Sequence, residues 1–331
     1  MTMSTNIPIS QTFNLVPPQL LVVISRGLQA LAIPVVALLI TTAATLGGEV
    51  KDAISFCNVL FVGNLCASLV VLVFFGPKAI THDLKRLRFP LFLEVLGLAS
   101  LAVLLSTLIF NALQTTTVTN VVLLARLGPV LYVIGAAALL GQIIGKLEWA
   151  GFGLIALGAL ATVFTESRFT ITTGDLLILA STGIYAIITL MSKRLLPETG
   201  VPALLFARNF FSAIVFFIIA NVLFGPAHFG HAFYGPLWVI MAVYALIIIV
   251  ASQIAWYQAI ETLPPANIAK WTFFTPILAV SYAYFLNGER PSIVQIVALG
   301  LITIGLVMSN IGSFFPKGSS DNPEGSVAAS S

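Results

Sequence analysis

Two long stretches of the sequence share one pattern. Residues 267–308 read NIAKWTFFTPILAVSYAYFLNGERPSIVQIVALGLITIGLVM, and residues 120–163 read NVVLLARLGPVLYVIGAAALLGQIIGKLEWAGFGLIALGALATV. At an offset of 147, residues 111–158 align with 258–305 without a gap and are identical at 13 of 48 positions. The identities include Asn120 with Asn267, Pro129 with Pro276, Gly141 with Gly288, Gly153 with Gly300, and Gly158 with Gly305. Because such residues set backbone shape and helix contacts, the pattern indicates two copies of one helical unit.

The composition places these helices in lipid. Of 331 residues, 59% are hydrophobic and only 8% are charged, whereas a soluble domain carries about 25% charged residues. A membrane-spanning helix needs about 20 mostly apolar residues. Ten such stretches, α1 to α10, are predicted at 19–41, 53–75, 90–110, 117–140, 149–165, 174–191, 202–224, 236–260, 266–286 and 293–311. The predicted fold is therefore an all-α integral membrane protein with ten transmembrane helices.

An odd number of helices in each half decides how the halves are related. Five helices precede the midpoint and five follow it, so the second copy enters the membrane with the opposite orientation. The predicted segments are a cytoplasmic N-terminal segment 1–18, a first five-helix repeat 19–168, a second 169–312, and a disordered cytoplasmic tail 313–331 rich in Ser, Gly and Pro. Inverted repeats of this kind are typical of secondary transporters.

The basic residues predict the orientation in the membrane. With both termini inside, the inner segments hold eight Lys and Arg residues and the outer segments hold three. Short loops rich in Lys and Arg stay on the cytoplasmic side. We therefore expect a multi-pass protein of the cell (inner) membrane with both termini cytoplasmic, and "inner" and "outer" ends are named below by this predicted topology.

The repeated segments resemble the ten-helix EamA-type branch of the drug/metabolite transporter superfamily. The resemblance rests on Pro276 within a helix, Gly288-Glu289 at its exit, and Gly300 and Gly305 in the last helix. In the first copy, Gln142 stands where the family usually has Glu. The resemblance implies an exporter or importer of small metabolites, with a central cavity lined by α1, α3, α4, α6, α8 and α9. Cargo in the family includes amino acids, sugars and phosphorylated compounds.

Two cations inside the predicted spans are the leading candidates for substrate binding. A charge at mid-membrane costs at least a few kcal/mol and should face a cavity or a partner. Arg126 in α4 and Lys270 in α9 occupy related faces of repeat-equivalent helices, where they would attract a carboxylate or phosphate. An anionic or zwitterionic cargo, such as an amino acid or organic acid, is the resulting hypothesis. The alternatives are that Arg126 bonds a carbonyl freed by Pro129, and that Lys270 snorkels to the inner surface.

Polar and aromatic residues at helical spacing complete the predicted substrate site. They are Asn120, Asn267, Arg26, Gln253, Trp256, Tyr257 and Tyr185. Snorkelling also explains Arg26, and it explains Arg208, a weaker candidate. An interfacial aromatic belt explains Trp256 and Tyr257 equally well.

Three residues are candidates for coupling or gating. Pro129 and Pro276 each lie about half-way along a span, where proline bends a helix. Glu94 is a carboxylate one turn into α3. It could carry a proton, or it could pair with Arg26 or Arg208 and brace the inner gate, and the brace is the preferred interpretation.

Other functional classes lack their signatures. The sequence has no Gly-x-x-x-x-Gly-Lys-Ser/Thr, His-Glu-x-x-His or Gly-x-Ser-x-Gly motif, and its two cysteines cannot form a four-ligand zinc site. We expect no enzyme activity, metal or cofactor, and a net charge of +3 is too weak for nucleic acid. Expected partners are a small solute and the bilayer, with a homodimer compatible with the Gly141 to Gly145 spacing. The alternative is a non-transporting membrane scaffold or receptor built on a duplicated helical fold.

Overall fold

The computed structural model describes residues 16–85, 87–140, 144–164, 171–256 and 274–312. Within these ranges the chain is helical and forms no strands, since in lipid a helix satisfies its own backbone hydrogen bonds. The predicted site residues Lys270, Asn267 and Tyr257 lie outside the described residues, as do Gln142 and the tail from 313.

In the residues that the structure describes, each predicted span contains a helix. Their bounds are Pro18–Ala30 with Ala32–Leu46 (α1), Phe56–Phe75 (α2), Phe89–Ala112 (α3), Val118–Leu124 with Leu127–Leu140 (α4), Lys146–Ala161 (α5), Thr173–Thr199 (α6), Val201–Gly230 (α7), Gly235–Tyr244 continuing through Ala245–Ala251 to residue 256 (α8), Thr275–Asn287 (α9) and Ile293–Gly312 (α10). Eight are long and apolar enough to cross a membrane. The other two are α5, with 16 residues, and α9, which is described only from Thr275.

Helices α5 and α10 approach each other so closely that their backbones touch. A Cβ atom added to Gly151 would lie 2.5 Å from the carbonyl oxygen of Gly305, and one added to Gly158 would lie 2.8 Å from that of Ala298. Under the repeat offset of 147, position 151 corresponds to 298 and position 158 corresponds to 305, so the two contacts are equivalent. Position 151 meets 305 and position 158 meets 298, so these two repeat-equivalent helices run antiparallel, as inverted repeats require.

The two halves share their core. One buried cluster joins α1, α4 and α5 of the first half to α9 and α10 of the second, through Ala30, Val122, Ala159, Ala279 and Ile302. A second cluster packs α2 of the first half against α7 and α8 of the second. Neither half therefore buries its apolar surface alone.

Two short helices were not predicted. Gly48–Ala53 follows α1 at the outer end, and Pro77–Lys85 follows α2 at the inner end. We call Pro77–Lys85 the interfacial helix. Its Ile80 is buried while Lys78 and Lys85 are exposed, the arrangement of an amphipathic helix lying at a membrane surface.

Candidate functional site

Helix α4 is interrupted between its halves, Val118–Leu124 and Leu127–Leu140. Proline lacks the N–H that would pair with the carbonyl four residues earlier, so Pro129 cannot bond the Ala125 carbonyl. The amide of Gly128 bonds that carbonyl instead, at 3.1 Å, which tightens the chain into a turn. The helix is therefore interrupted just before Pro129, and the gating role of this proline stays a prediction.

Arg126 lies in this turn. Its amide bonds the carbonyl of Leu123 at 3.2 Å rather than that of Val122. The Val122 carbonyl instead accepts a hydrogen bond from Arg126 Nε at 3.3 Å. A freed carbonyl thus holds one side of the guanidinium, as the alternative interpretation supposed, although the acceptor is Val122. The substrate-binding role of Arg126 stays a prediction.

Tyr185 of α6 accompanies Arg126. Tyr185 is 38% exposed. Its ring packs on Gly128, where an added Cβ would lie only 2.8 Å from Tyr185 Cδ1. The absence of a side chain at Gly128 lets the ring lie beside the α4 turn, and these residues form the α4–α6 cluster.

A second polar cluster joins α1 to α8. The guanidinium carbon of Arg26 lies 3.4 Å from the ring centre of Trp256, in cation–π geometry. Arg26 Nη1 also donates a hydrogen bond of 2.6 Å to Gln29 Oε1. These residues form the α1–α8 cluster, which brings together two predicted site residues separated by 230 positions in sequence.

Helix α8 changes its winding just before this cluster. Residues Ala245–Ala251 form a π-helix, whose wider turns shift the face that the following residues present. Ser252 Oγ then donates to the carbonyl of Ile248 at 2.5 Å, and Ser25 Oγ of α1 donates to the Ser252 carbonyl at 2.7 Å. Gln253 is half-buried beside them. No pattern in the sequence indicated the π-helix.

The outer ends of four helices meet in a polar network that sequence reasoning largely missed. Glu289, at the exit of α9, caps the start of α4. Its Oε1 accepts a hydrogen bond of 2.7 Å from the Val118 amide. Its Oε2 accepts two hydrogen bonds, from the amide and the hydroxyl of Thr119, both of 2.9 Å. Gly288 allows this because its φ of +67° reverses the chain at the end of α9. The Gly288-Glu289 motif was the available signal, since such a glycine followed by a carboxylate suits a helix end.

Asn120 belongs to the same network. Its side-chain oxygen accepts a hydrogen bond of 2.8 Å from Gln295 Nε2 of α10. Nearby, Asp175 Oδ1 of α6 accepts a hydrogen bond of 2.9 Å from the hydroxyl of Thr116. The outer polar network therefore ties residues 116–120 of the first half to α6, α9 and α10 of the second. A substrate contact by Asn120 stays a prediction.

Glu94 forms an ion pair across the two halves at the inner end. Its Oε1 lies 3.0 Å from Arg194 Nη2 of α6, and the two side chains are 30% and 74% exposed. The partner is Arg194 rather than Arg26 or Arg208. The bracing role of Glu94 at the inner gate stays a prediction, and an ion pair this exposed contributes about 0–1 kcal/mol to stability.

We expect Glu94→Gln to leave transport and its pH dependence unchanged, because a glutamine oxygen still accepts a hydrogen bond from Arg194. Uptake into proteoliposomes at several external pH values would measure this. Glu198→Gln, which changes an exposed carboxylate of the same α6, is the control. Loss of proton-driven uptake only in Glu94→Gln would instead make Glu94 the proton carrier.

Two comparisons with known proteins point to one class of protein, and a third shows a shared fold. The EamA-like transporter family matches twice, at residues 28–164 and 172–311. A Synechocystis protein named uncharacterized transporter sll1164 is 32% identical over 287 residues, covering 84% of this chain and 82% of that protein. A crystal structure with a TM-score of 0.55 and 16% identity, covering 85% of this chain and 96% of its own, shares the fold.

The helical membrane fold, its repeat-equivalent antiparallel helices and these matches define a multi-pass membrane transporter. The chain belongs to the EamA-like transporter family.

Proposed function

We propose that this transporter is a secondary carrier that moves a small polar metabolite bearing a carboxylate or phosphate. The observation that carries the proposal is Arg126 at the break in α4, beside the partly exposed Tyr185. Discontinuous helices at mid-membrane are where carriers of this architecture place their substrates. Arginine grips a carboxylate or phosphate through two parallel hydrogen bonds.

Arg26 supplies a second cation. Its contact with Trp256 supports the guanidinium on one face, and a guanidinium is suited to bind a carboxylate or phosphate through parallel hydrogen bonds. Lys270, outside the described residues, keeps its predicted place as a third cation. An amino acid or organic acid carries a charge complementary to these groups.

The proposed mechanism is alternating access. The outer polar network holds the outer ends of α4, α6, α9 and α10 together, which supports a conformation closed on that side. Rocking of the two inverted halves would break these hydrogen bonds and close the inner ends instead. We place the carrier in the cell membrane with both termini cytoplasmic, on the distribution of Lys and Arg.

Counterflow in proteoliposomes without ATP tests this function. We expect an accepted solute to be a carboxylate or phosphate compound, and Arg126→Ala and Arg26→Ala to lower its counterflow at least about tenfold, since each loses charge-assisted hydrogen bonds of about 1.5–3 kcal/mol. Arg290→Ala, which changes an exposed arginine of the outer loop, is the matched control and should transport normally.

The outcomes separate the two parts of the proposal. Unchanged counterflow in both arginine variants would refute the cation site. A folded protein that gives no counterflow with any solute would favour the scaffold or receptor alternative.

A further inference from the structure

An apolar groove opens on the face of α1 that points away from Arg26 and Gln29 of the α1–α8 cluster. It has a volume of about 200 Å³ and is lined by apolar side chains of α1 and α8 and by the end of α2, among them Leu21, Ile24, Leu28, Phe74, Ala251 and Ile254. At 100° per residue, the lining positions of α1 lie roughly 140° around the helix from Arg26 and Gln29. The groove therefore faces lipid, whereas Arg26 and Gln29 face the interior of the protein.

The interfacial helix adjoins the inner end of this groove. Its buried Ile80 packs in a cluster with Val250 and Ile254, and both of these residues also line the groove. The chain passes directly from Phe74, which lines the groove, through the turn at Gly76 into the interfacial helix. The interfacial helix thus packs, through its buried face, against two residues that line the groove.

The exposed face of the interfacial helix is basic. Lys78 and Lys85 are exposed there, and neither forms an ion pair with any part of the chain that the structure describes. Anionic lipid headgroups attract basic residues placed just beyond a membrane helix. A surface that combines this apolar groove with the two lysines of the adjoining helix matches the chemistry of an anionic phospholipid.

We propose that this surface is a binding site for an anionic phospholipid, with one acyl chain in the groove between α1 and α8 and the headgroup phosphate on Lys78 and Lys85. The acyl chain would lie beside the hydrogen bond from Ser25 to Ser252 that joins these helices. A bound lipid would therefore brace α1 against α8. The site is independent of the solute that the carrier accepts.

Native mass spectrometry of the full-length purified protein, titrated with phosphatidylglycerol or phosphatidylcholine, tests the site. The wild type should retain a tightly bound phosphatidylglycerol and bind phosphatidylcholine much more weakly. Ala251→Phe, which fills the groove, should remove this tight binding. The double variant Lys78→Gln/Lys85→Gln should bind phosphatidylglycerol about 10- to 30-fold more weakly, since each lysine near a membrane surface contributes about 1 kcal/mol.

Two control variants change residues outside the proposed site. Ala242→Phe fills a second apolar recess, between α2 and α8 and lined by Cys66, Leu69 and Trp238, and Lys51→Gln removes an exposed outer lysine. Both should bind phosphatidylglycerol as the wild type does.

The proposal is overturned if Ala251→Phe keeps the lipid, if phosphatidylcholine binds as tightly as phosphatidylglycerol, or if Ala242→Phe has the same effect as Ala251→Phe. The lysine variant changes only surface groups, so binding of phosphatidylglycerol by that variant at wild-type strength also overturns the proposal, even if Ala251→Phe fails to fold. Because the readout is lipid mass, it does not depend on transport activity.

Discussion

Gly305→Ala is expected to destabilise the protein strongly, whereas Gly300→Ala, in the same helix, is expected to be harmless. A Cβ atom on residue 305 would lie 2.6 Å from the carbonyl oxygen of Gly151 and 2.9 Å from the backbone nitrogen of Ile155. Backbone cannot move aside as a side chain can, so α5 and α10 would have to separate. Overpacking of this kind costs about 1–3 kcal/mol or more.

Gly300 provides the matched control because a Cβ atom there would meet nothing within 4 Å. Alanine is also the better helix former by about 1 kcal/mol, so Gly300→Ala should keep or slightly raise stability. Thermal unfolding in detergent would measure the difference, with Tm expected to fall by about 2–5 °C in Gly305→Ala. Equal Tm values for the two variants would contradict the backbone contact between α5 and α10.

Glu289→Ala is expected to have the second large effect, because it removes the cap of α4. The Val118 and Thr119 amides and the Thr119 hydroxyl would lose their acceptor. Hydrogen bonds to a charged group contribute about 1.5–3 kcal/mol each. Since Glu289 is only half-buried, water would replace some of these hydrogen bonds. We therefore expect the free energy of unfolding to fall by about 2–4 kcal/mol in all.

Glu289→Gln should fall between Ala and wild type, since one amide oxygen can accept while the amide nitrogen cannot. Glu198→Ala, which removes an exposed carboxylate at the end of α6, should leave Tm unchanged. Thermal unfolding of the three variants would establish the order. If Glu289→Ala unfolded at the same Tm as the wild type, the cap would not contribute to the stability of the outer polar network.

Local properties of the chain were accessible to sequence reasoning. Apolar runs predicted the helices because a helix in lipid satisfies its hydrogen bonds within itself. The break in α4 was equally predictable, since the missing N–H of Pro129 acts on the carbonyl four residues away. The family followed from the repeated Pro and Gly positions and is confirmed by the matches.

The site was less accessible, because its contacts join distant residues. The pairing of Glu94 with Arg194 spans 100 positions, and neither residue carries a signal that selects the other among several nearby charges. Stacking of Arg26 on Trp256 depends on the face that α8 presents after its π-helix. Winding of that kind reflects packing against neighbouring helices more than local propensity.

The sequence by itself determined a duplicated, all-helical membrane transporter with cations in its spans, because hydropathy, proline and glycine act over a few residues. Only the tertiary structure decided that Glu289 caps α4, that Arg26 stacks on Trp256 and that α5 and α10 meet backbone to backbone. Those contacts depend on how helices far apart in the chain are brought together, and no short-range pattern encodes that arrangement.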